Sequence, residues 1–132
     1  MKAGVRARKR PVVVDAMQWT GKNTGPLKAW MMGFVVEAID GAPRHERRAV
    51  KQAVRDFEVA MFVKRRSTGM TEALFRNLID DPSPECSAAL WVAANESYLP
   101  LVDGEWVIHD SVGFYPCQEA VFAATYDVLP DG

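Results

Sequence analysis

The sequence predicts an α+β fold in which a small antiparallel sheet is packed by a short helix. The segment Val12–Trp19 and the last third of the chain are rich in β-branched and aromatic residues and are divided by turn signals. Between these regions, apolar residues recur at helical spacing. Because 132 residues with 48% hydrophobic composition can bury one core, we expect a single domain spanning residues 1–132.

The first third of the chain predicts a strand, a helix and a second strand. The first strand runs from Val12 to Trp19 and ends at Thr20-Gly21. A short helix is predicted over Pro26–Met32, because Thr24 can cap it and proline is tolerated in the first helical turn. Phe34–Ile39 is predicted as a strand that stops at the turn signal Asp40-Gly41.

The middle of the chain, residues 42–84, predicts a helical insertion. An amphipathic helix with a basic outer face is expected over Arg44–Glu58, and Val59–Val63 either extends it or forms a strand. A second helix begins with Thr71 as its cap and stops before the proline-rich loop at Asp81.

The last third predicts a strand meander that joins the N-terminal strand in one sheet. Asp103-Gly104 is a two-residue hairpin signal that leads into Glu105–His109. The other predicted strands are Leu90–Ala94, Tyr98–Val102, Phe114–Cys117 and Thr125–Leu129. If the turn at 110–113 pairs His109 with Phe114, then Trp106 pairs with Cys117, and alternation of side chains places His109 and Cys117 on opposite faces.

No catalytic apparatus is recognisable in the sequence. The predicted register separates the Cys117 thiol from the His109 imidazole, and a nucleophile needs its base within hydrogen-bond reach. The two cysteines and two histidines lack the short paired spacings of a metal site, and no glycine-rich phosphate loop is present. A carboxylate pair for acid–base catalysis stays open, although no spacing selects one. We therefore predict a protein that is not an enzyme and needs no metal or cofactor.

Charge is divided unevenly along the chain. All 16 basic residues lie at or before Arg76, against seven acids, which gives +9; the residues after Arg76 carry ten acids and no base, which gives −10. The simpler interpretation is that the halves neutralise each other across one folded surface; the alternative is that each meets a different partner. The predicted partner-binding residues are Arg44, Arg47, Arg48, Lys51, Arg55, Lys64, Arg65 and Arg66.

Two kinds of ligand remain alternatives to a protein partner. The basic residues, with the arm Arg6–Arg10, could contact the phosphates of a nucleic acid, but the acidic last third would repel a polyanion. The large aromatic residues are expected in the core. A cleft for a nucleotide-like ligand, formed by Trp19, Trp106 and Tyr115, is the alternative.

The two ends of the chain resemble a family of small bacteriophage and prophage proteins of unknown function. In that family a strand beginning Lys-Lys-Pro-Val-Val and ending Gln-Trp opens the domain, as in Arg8–Gly21 here. A Pro-Gly-Asp-Trp or Pro-Gly-Asp-Tyr hairpin then leads to Tyr-Pro-Cys, as in Gly104–Ile108 and Phe114–Cys117. Phe122 and Thr125–Asp127 complete the resemblance, which covers somewhat under half of the chain.

The chain also departs from the family pattern. Asp103 and Glu105 replace the usual proline and aspartate, the turn before Tyr115 is one residue shorter, and residues 42–84 have no counterpart. The resemblance therefore implies a phage origin. It implies no role for residues 42–84.

These observations predict a non-catalytic phage accessory protein that binds a host macromolecule in the host cytoplasm and modulates host physiology or defence. A host protein is the expected partner. A small-ligand sequestering module and a virion assembly component are the alternatives. No apolar run reaches the about 18 residues that a membrane-spanning helix needs, so no membrane partner is expected. The uneven charge also permits a homo-oligomer.

Overall fold

The computed structural model describes residues 4–8, 10–49, 51–52 and 61–130, and it confirms a mixed α+β fold. The strands are β1 (Asp15–Gln18), β2 (Phe62–Lys64), β3 (Cys86–Val92), β4 (Ser97–Val102), β5 (Trp106–His109) and β6 (Phe114–Cys117). The longer helices are α1 (Thr24–Asp40), α2 (Glu72–Leu78) and α3 (Glu119–Thr125). Short 3₁₀ turns occupy Arg44–Glu46 and Ala93–Asn95.

The N-terminal strand joins the end of the chain in a three-stranded antiparallel sheet of order β1-β5-β6. The predicted β5–β6 register is confirmed, since His109 pairs with Phe114 and Trp106 pairs with Cys117. One face of this sheet contributes Val107 and Phe114 to the main core. On the other face Trp106 stacks on Phe122 of α3, with the ring centroids 4.0 Å apart.

The remaining strands form a second antiparallel sheet of order β2-β3-β4. Asp103-Gly104 therefore does not close a hairpin between paired strands; it carries the chain from one sheet to the other. The N–H of Glu105 donates to the carbonyl of Val102 over 3.0 Å, and the N–H of Gly104 donates to the carbonyl of Trp19 over 2.7 Å. Gly104 has φ +97°, a conformation that glycine adopts without steric cost.

Helix α1 extends through the segment predicted as a strand, so the strand prediction for Phe34–Ile39 is wrong. Phe34 stacks on His109 and Ile39 is buried, which continues the apolar stripe of the helix. Asn23, not Thr24, stands at the N-cap position, and the Thr24 hydroxyl oxygen is buried without a described partner.

Two further predictions about helix ends have opposite outcomes. Thr71 caps α2 as predicted, because its hydroxyl accepts a hydrogen bond from the N–H of Leu74 over 3.1 Å. The predicted strand Thr125–Leu129 is wrong: α3 ends at Thr125, and residues 126–129 adopt no regular structure.

The main core lies between the two sheets and α1, and a second cluster lies between β3 and α2. The main core is formed by Trp19, Leu27, Met31, Met61, Phe62, Ala88, Leu90, Val92, Leu101, Val107 and Phe114. The second cluster comprises Phe75, Ile79, Cys86 and Ala89. The sheet of β2, β3 and β4 is thus covered by apolar side chains on both faces.

The middle segment, residues 42–84, is joined to the fold from Met61 onward. Met61 and Phe62 are buried in the main core, β2 pairs with β3, and Phe75 is buried under α2. Residues 47–49 and 51–52 are helical, and the remainder of the helix predicted to Glu58 lies outside the described residues. Within the described part of the chain, no helix combines the length and apolarity needed to cross a lipid bilayer.

Candidate functional site

A basic surface is formed by Arg44, Arg47, Arg48 and Lys51, which we call the 44–51 surface. All four side chains are exposed. The chain turns into this segment at Pro43 and passes through the 3₁₀ turn into helical residues, so cations three and four positions apart lie close together. The guanidinium of Arg47 donates to the carbonyl of Ala42 over 3.3 Å.

A single acid interrupts this surface. Glu46 lies 3.6 Å from His45, its neighbour in sequence. No ion pair to any acid of the described chain involves the four cations. Arg55, the fifth cation predicted for this helix, lies outside the described residues.

The second predicted basic cluster, Lys64-Arg65-Arg66, is divided by burial. Arg65 is only 6% exposed, so it is not available to a partner, contrary to its predicted role. Its guanidinium donates twice to Glu72, and also to the carbonyls of Ser83 and Cys86 over 2.9 and 3.0 Å. The guanidinium lies 5.3 Å from the ring centroid of Phe75. Arg65 therefore holds α2 and the loop after it against the second sheet.

The ion pair of Arg65 with Glu72 shifts the titration of both groups. The hydrogen bond from Arg65 lowers the pKa of Glu72 to about 2, and Arg76 contributes to the same shift. The hydrogen bond with Glu72 raises the pKa of Arg65. Both groups are therefore charged at neutral pH, and the pair is fully formed there.

Direct ion pairs do not neutralise the two halves of the chain within its described part. The described pairs join His45 to Glu46, and Glu72 to Arg65 and Arg76. None of them reaches an acid beyond Arg76. Within the described residues, the basic first part and the acidic last part of the chain are therefore not joined by direct ion pairs.

The three aromatic residues predicted to line a ligand cleft are separated by the fold. Trp19 has no exposed surface, because it fills the core between the two sheets, and its indole N–H donates to the Ser87 hydroxyl over 2.8 Å. Trp106 is covered by Phe122 on the far face of the first sheet. Tyr115 lies on that same face, and burial, with a hydrogen bond to Tyr126, raises its pKa. A cleft shared by Trp19, Trp106 and Tyr115 is therefore not formed.

A groove of about 420 Å³ opens at one end of the second sheet, beside the end of β2, the start of β3 and the end of β4. We call it the sheet-end groove. Its walls carry both signs of charge. The residues that line it are Lys64, Arg65, Arg66, Pro84, Glu85, Cys86, Ser87, Val102 and Asp103.

The back of the sheet-end groove is organised by a β-bulge. Cys86 pairs with Val102 and Ala88 pairs with Leu101, so Ser87 is the extra residue of β3. Its hydroxyl accepts from the Trp19 indole and donates to Oδ1 of Asp103 over 2.6 Å. Because Ser87 is the extra residue of the bulge, it has no partner in the ladder of β3 and β4, and it lines the groove.

A smaller groove of about 290 Å³ lies between the β3–β4 connection and the β5–β6 turn. Its walls are mainly apolar and include Val92, Leu99, Phe114 and Tyr115. The Asp110 carboxylate nearby accepts hydrogen bonds from the N–H groups of Val112 and Gly113, so it is committed to the turn.

The histidine and cysteine of the first sheet do not form a dyad. His109 stacks on Phe34 at 3.8 Å between ring centroids, whereas Cys117 pairs with Trp106 on the opposite face. Burial, and after it the charge of Glu105, raises the pKa of the Cys117 thiol, which disfavours the nucleophilic thiolate. Among the described residues, no group of three or more histidine, cysteine, aspartate or glutamate side chains is placed to hold a metal ion.

Comparisons of the chain with family models, with curated proteins and with solved structures gave no match. Sequence reasoning had identified Lys64 and Arg66 as binding residues and Asp103 as a turn residue. It did not identify Ser87, because a bulge depends on the register of two strands and leaves no local pattern.

Proposed function

We propose that this chain is a non-catalytic bacteriophage accessory protein that docks on an acidic surface of a host protein through the 44–51 surface. The observation that carries the proposal is the set of four exposed cations on one short segment that contains a single acid. Such an excess of one sign over a small area raises the rate of encounter with a surface of the opposite sign.

The state of these cations favours docking over a structural role. Arg65 shows what a structural arginine in this fold requires, namely a carboxylate and carbonyls that surround its guanidinium. Within the described residues, Arg44, Arg48 and Lys51 have no comparable partners. A partner can therefore bind them without breaking an ion pair of the described chain.

The proposed partner is a protein and not a nucleic acid because of the acidic last third. Ten acids follow Arg76 without a compensating base. A nucleic acid extends its charge well beyond one short segment, so these carboxylates would repel it, whereas an acidic patch on a protein can be confined to the 44–51 surface. The phage origin, and with it the host cytoplasm as the place of action, rests on the resemblance of the two ends of the chain.

The test compares two variants with the same change in net charge. The first reverses Arg44, Arg48 and Lys51 to Glu, and the second reverses Arg6, Arg8 and Arg10 to Glu. Each protein is used to capture partners from a nuclease-treated bacterial lysate. Captured proteins are identified by mass spectrometry, purified, and measured against each variant by calorimetry at several salt concentrations.

We expect one protein whose affinity falls about tenfold or more with the first variant and little with the second, and whose binding weakens as salt rises. Equal losses in both variants would indicate non-specific attraction, and no loss in the first would remove the 44–51 surface from the mechanism. Tight binding of duplex DNA or RNA, measured by fluorescence anisotropy, would show that the partner is a nucleic acid and not a protein.

A further inference from the structure

Opposite charges line the sheet-end groove without pairing with each other. Lys64 and Arg66 come from the end of β2 and the turn after it, and Asp103 comes from the turn after β4. Among the described residues, neither cation forms an ion pair. The groove therefore offers a cationic part and an anionic part to one molecule.

Two backbone irregularities meet at this groove. Ser87 is the extra residue of a β-bulge, and Arg66 has φ +60°, in the left-handed region that a residue with a side chain rarely adopts. The left-handed conformation costs stability, and both features are over-represented next to active and binding sites, where a bulge re-aims a side chain that regular structure would place elsewhere. Here they flank the same 420 Å³ opening.

The carboxylate in the groove is held in place by the core. The Trp19 indole donates to the Ser87 hydroxyl, which donates to Oδ1 of Asp103. Because Trp19 is completely buried, this chain of hydrogen bonds fixes the orientation of Asp103 from the inside of the protein. Oδ2 of Asp103 has no hydrogen-bond donor within the described structure, so it can accept one from a ligand.

We propose that the sheet-end groove binds a small phosphorylated polyol, such as a pentose phosphate, with the phosphate on Lys64 and Arg66 and the hydroxyls on Asp103. Lysine and arginine are the side chains that bind phosphate through charge-assisted hydrogen bonds. A fixed carboxylate accepts hydrogen bonds from sugar hydroxyls, as acidic residues do for ribose in dinucleotide sites. The volume lies within the range of small-molecule sites, about 300–1,000 Å³.

The site is separate from the proposed protein partner, since it uses no residue of the 44–51 surface. Among the described residues, no aromatic side chain lines the groove, so they supply no stacking surface for a nucleobase. Recognition therefore rests on the phosphate and the hydroxyls.

Heteronuclear NMR titration of the full chain tests the proposal, with ribose 5-phosphate, inorganic phosphate and ribose as separate probes. We expect ribose 5-phosphate at millimolar concentration to shift the backbone amides of residues 64–66 and 87 and the indole N–H of Trp19. The indole is informative because it donates a hydrogen bond to Ser87, whose hydroxyl donates to Asp103. Inorganic phosphate should shift the amides of residues 64–66 and bind more weakly, and ribose alone should bind most weakly.

Three variants locate the two parts of the site. Lys64→Gln with Arg66→Gln should weaken ribose 5-phosphate about tenfold or more, because the phosphate loses its charged donors. Arg6→Gln with Arg8→Gln removes the same charge at exposed positions outside both proposed sites and should leave the affinity unchanged. Asp103→Ser should weaken ribose 5-phosphate and leave inorganic phosphate unchanged or tighter.

Three results would overturn the proposal: no shift with ribose 5-phosphate, equal weakening by both pairs of Gln substitutions, or equal affinity for inorganic phosphate and ribose 5-phosphate. Lys64→Gln with Arg66→Gln keeps this test decisive even if Asp103→Ser unfolds, because Lys64 and Arg66 line the groove and neither is buried.

Discussion

The runs 44–51 and 64–66 are both rich in arginine and lysine, yet the fold uses them differently. In the first run every cation is exposed and no described acid outside the run approaches it. In the second run the central residue, Arg65, is buried, while Arg66 beside it is exposed. Two similar stretches of sequence thus give an exposed surface in one place and a buried, paired arginine in the other.

The difference lies in what other segments bring to the guanidinium. The guanidinium of Arg65 donates to a carboxylate of α2, to the carbonyl of Ser83 in the loop before β3, and to the carbonyl of Cys86 at the start of β3. A buried charge is tolerated only when it is paired and its donors are satisfied. A run of basic residues is therefore exposed only where no carboxylates and carbonyls from other segments surround its side chains. The sequence of the run itself does not show whether such acceptors are present.

Replacing Arg65 by Met is expected to give the largest effect. The carbonyls of Ser83 and Cys86 lose their donor and Glu72 loses its cation, so the midpoint temperature of unfolding should fall by about 10 °C. Arg48→Met, the matched change on the 44–51 surface, should shift the midpoint by less than about 2 °C. Circular dichroism during heating measures both. Similar shifts in the two variants would contradict the inference that Arg65 stabilises the fold and Arg48 does not.

Acid should weaken the ion pair of Glu72 with Arg65. The folded-state pKa of Glu72 is lowered to about 2 from an ordinary 4.5, chiefly by its hydrogen bond with Arg65. A lowered pKa means that the carboxylate adds stability above its unfolded-state pKa and loses that contribution as pH falls from about 4.5 toward 2. Unfolding midpoints of the wild type and of Glu72→Gln should thus converge over that window.

The control for this acid effect is Glu46→Gln on the 44–51 surface. Its midpoint should differ from that of the wild type by less than about 2 °C, since Glu46 is exposed and its described ion pair is with His45, its neighbour in sequence. If the midpoints of the wild type and Glu72→Gln stay equally far apart from neutral pH to pH about 2, the pairing of Glu72 with Arg65 does not stabilise the fold.

Glycine substitutions should have opposite signs in the two runs. Arg66→Gly relieves a left-handed conformation, φ +60°, and should raise the free energy of unfolding by up to about 1 kcal/mol. Arg48→Gly places glycine in a helical segment and should lower it by about 0.5–1 kcal/mol. Urea unfolding monitored by tryptophan fluorescence gives both values. A loss of stability in Arg66→Gly would mean that the arginine side chain contributes more than its backbone costs.

Features that depend on neighbouring residues were predictable from the sequence. The register of β5 and β6 followed from a short turn and side-chain alternation, and the cap at Thr71 followed from its place before an apolar stripe. The α+β class followed from the same periodicities.

Features that depend on distant segments were not predictable. Phe34–Ile39 is β-branched and apolar enough for a strand, but it remains helical because His109 and Phe114 lie against Phe34. Residues Glu119–Thr125 form a helix whose Phe122 stacks on Trp106 of the first sheet. The sheet-end groove depends on a bulge at Ser87, which leaves no local pattern, and on the Asp103-Gly104 turn, whose sequence predicts a turn but not that it joins two sheets.

The smallest expected effect is on stability, and it tests whether the cations of the 44–51 surface repel one another or are neutralised by acids of the same chain. Arg44 and Arg48, like Arg47 and Lys51, are four residues apart, and like charges at that spacing repel each other by about 0.2–0.5 kcal/mol per pair. Changing Arg44, Arg48 and Lys51 to Gln should therefore slightly raise the free energy of urea unfolding at low salt. The gain should disappear at high salt, because salt screens exposed charges. A loss of stability would show that acids within the chain already neutralise these cations. The expected gain would show that they repel one another, a repulsion that an acidic partner would relieve.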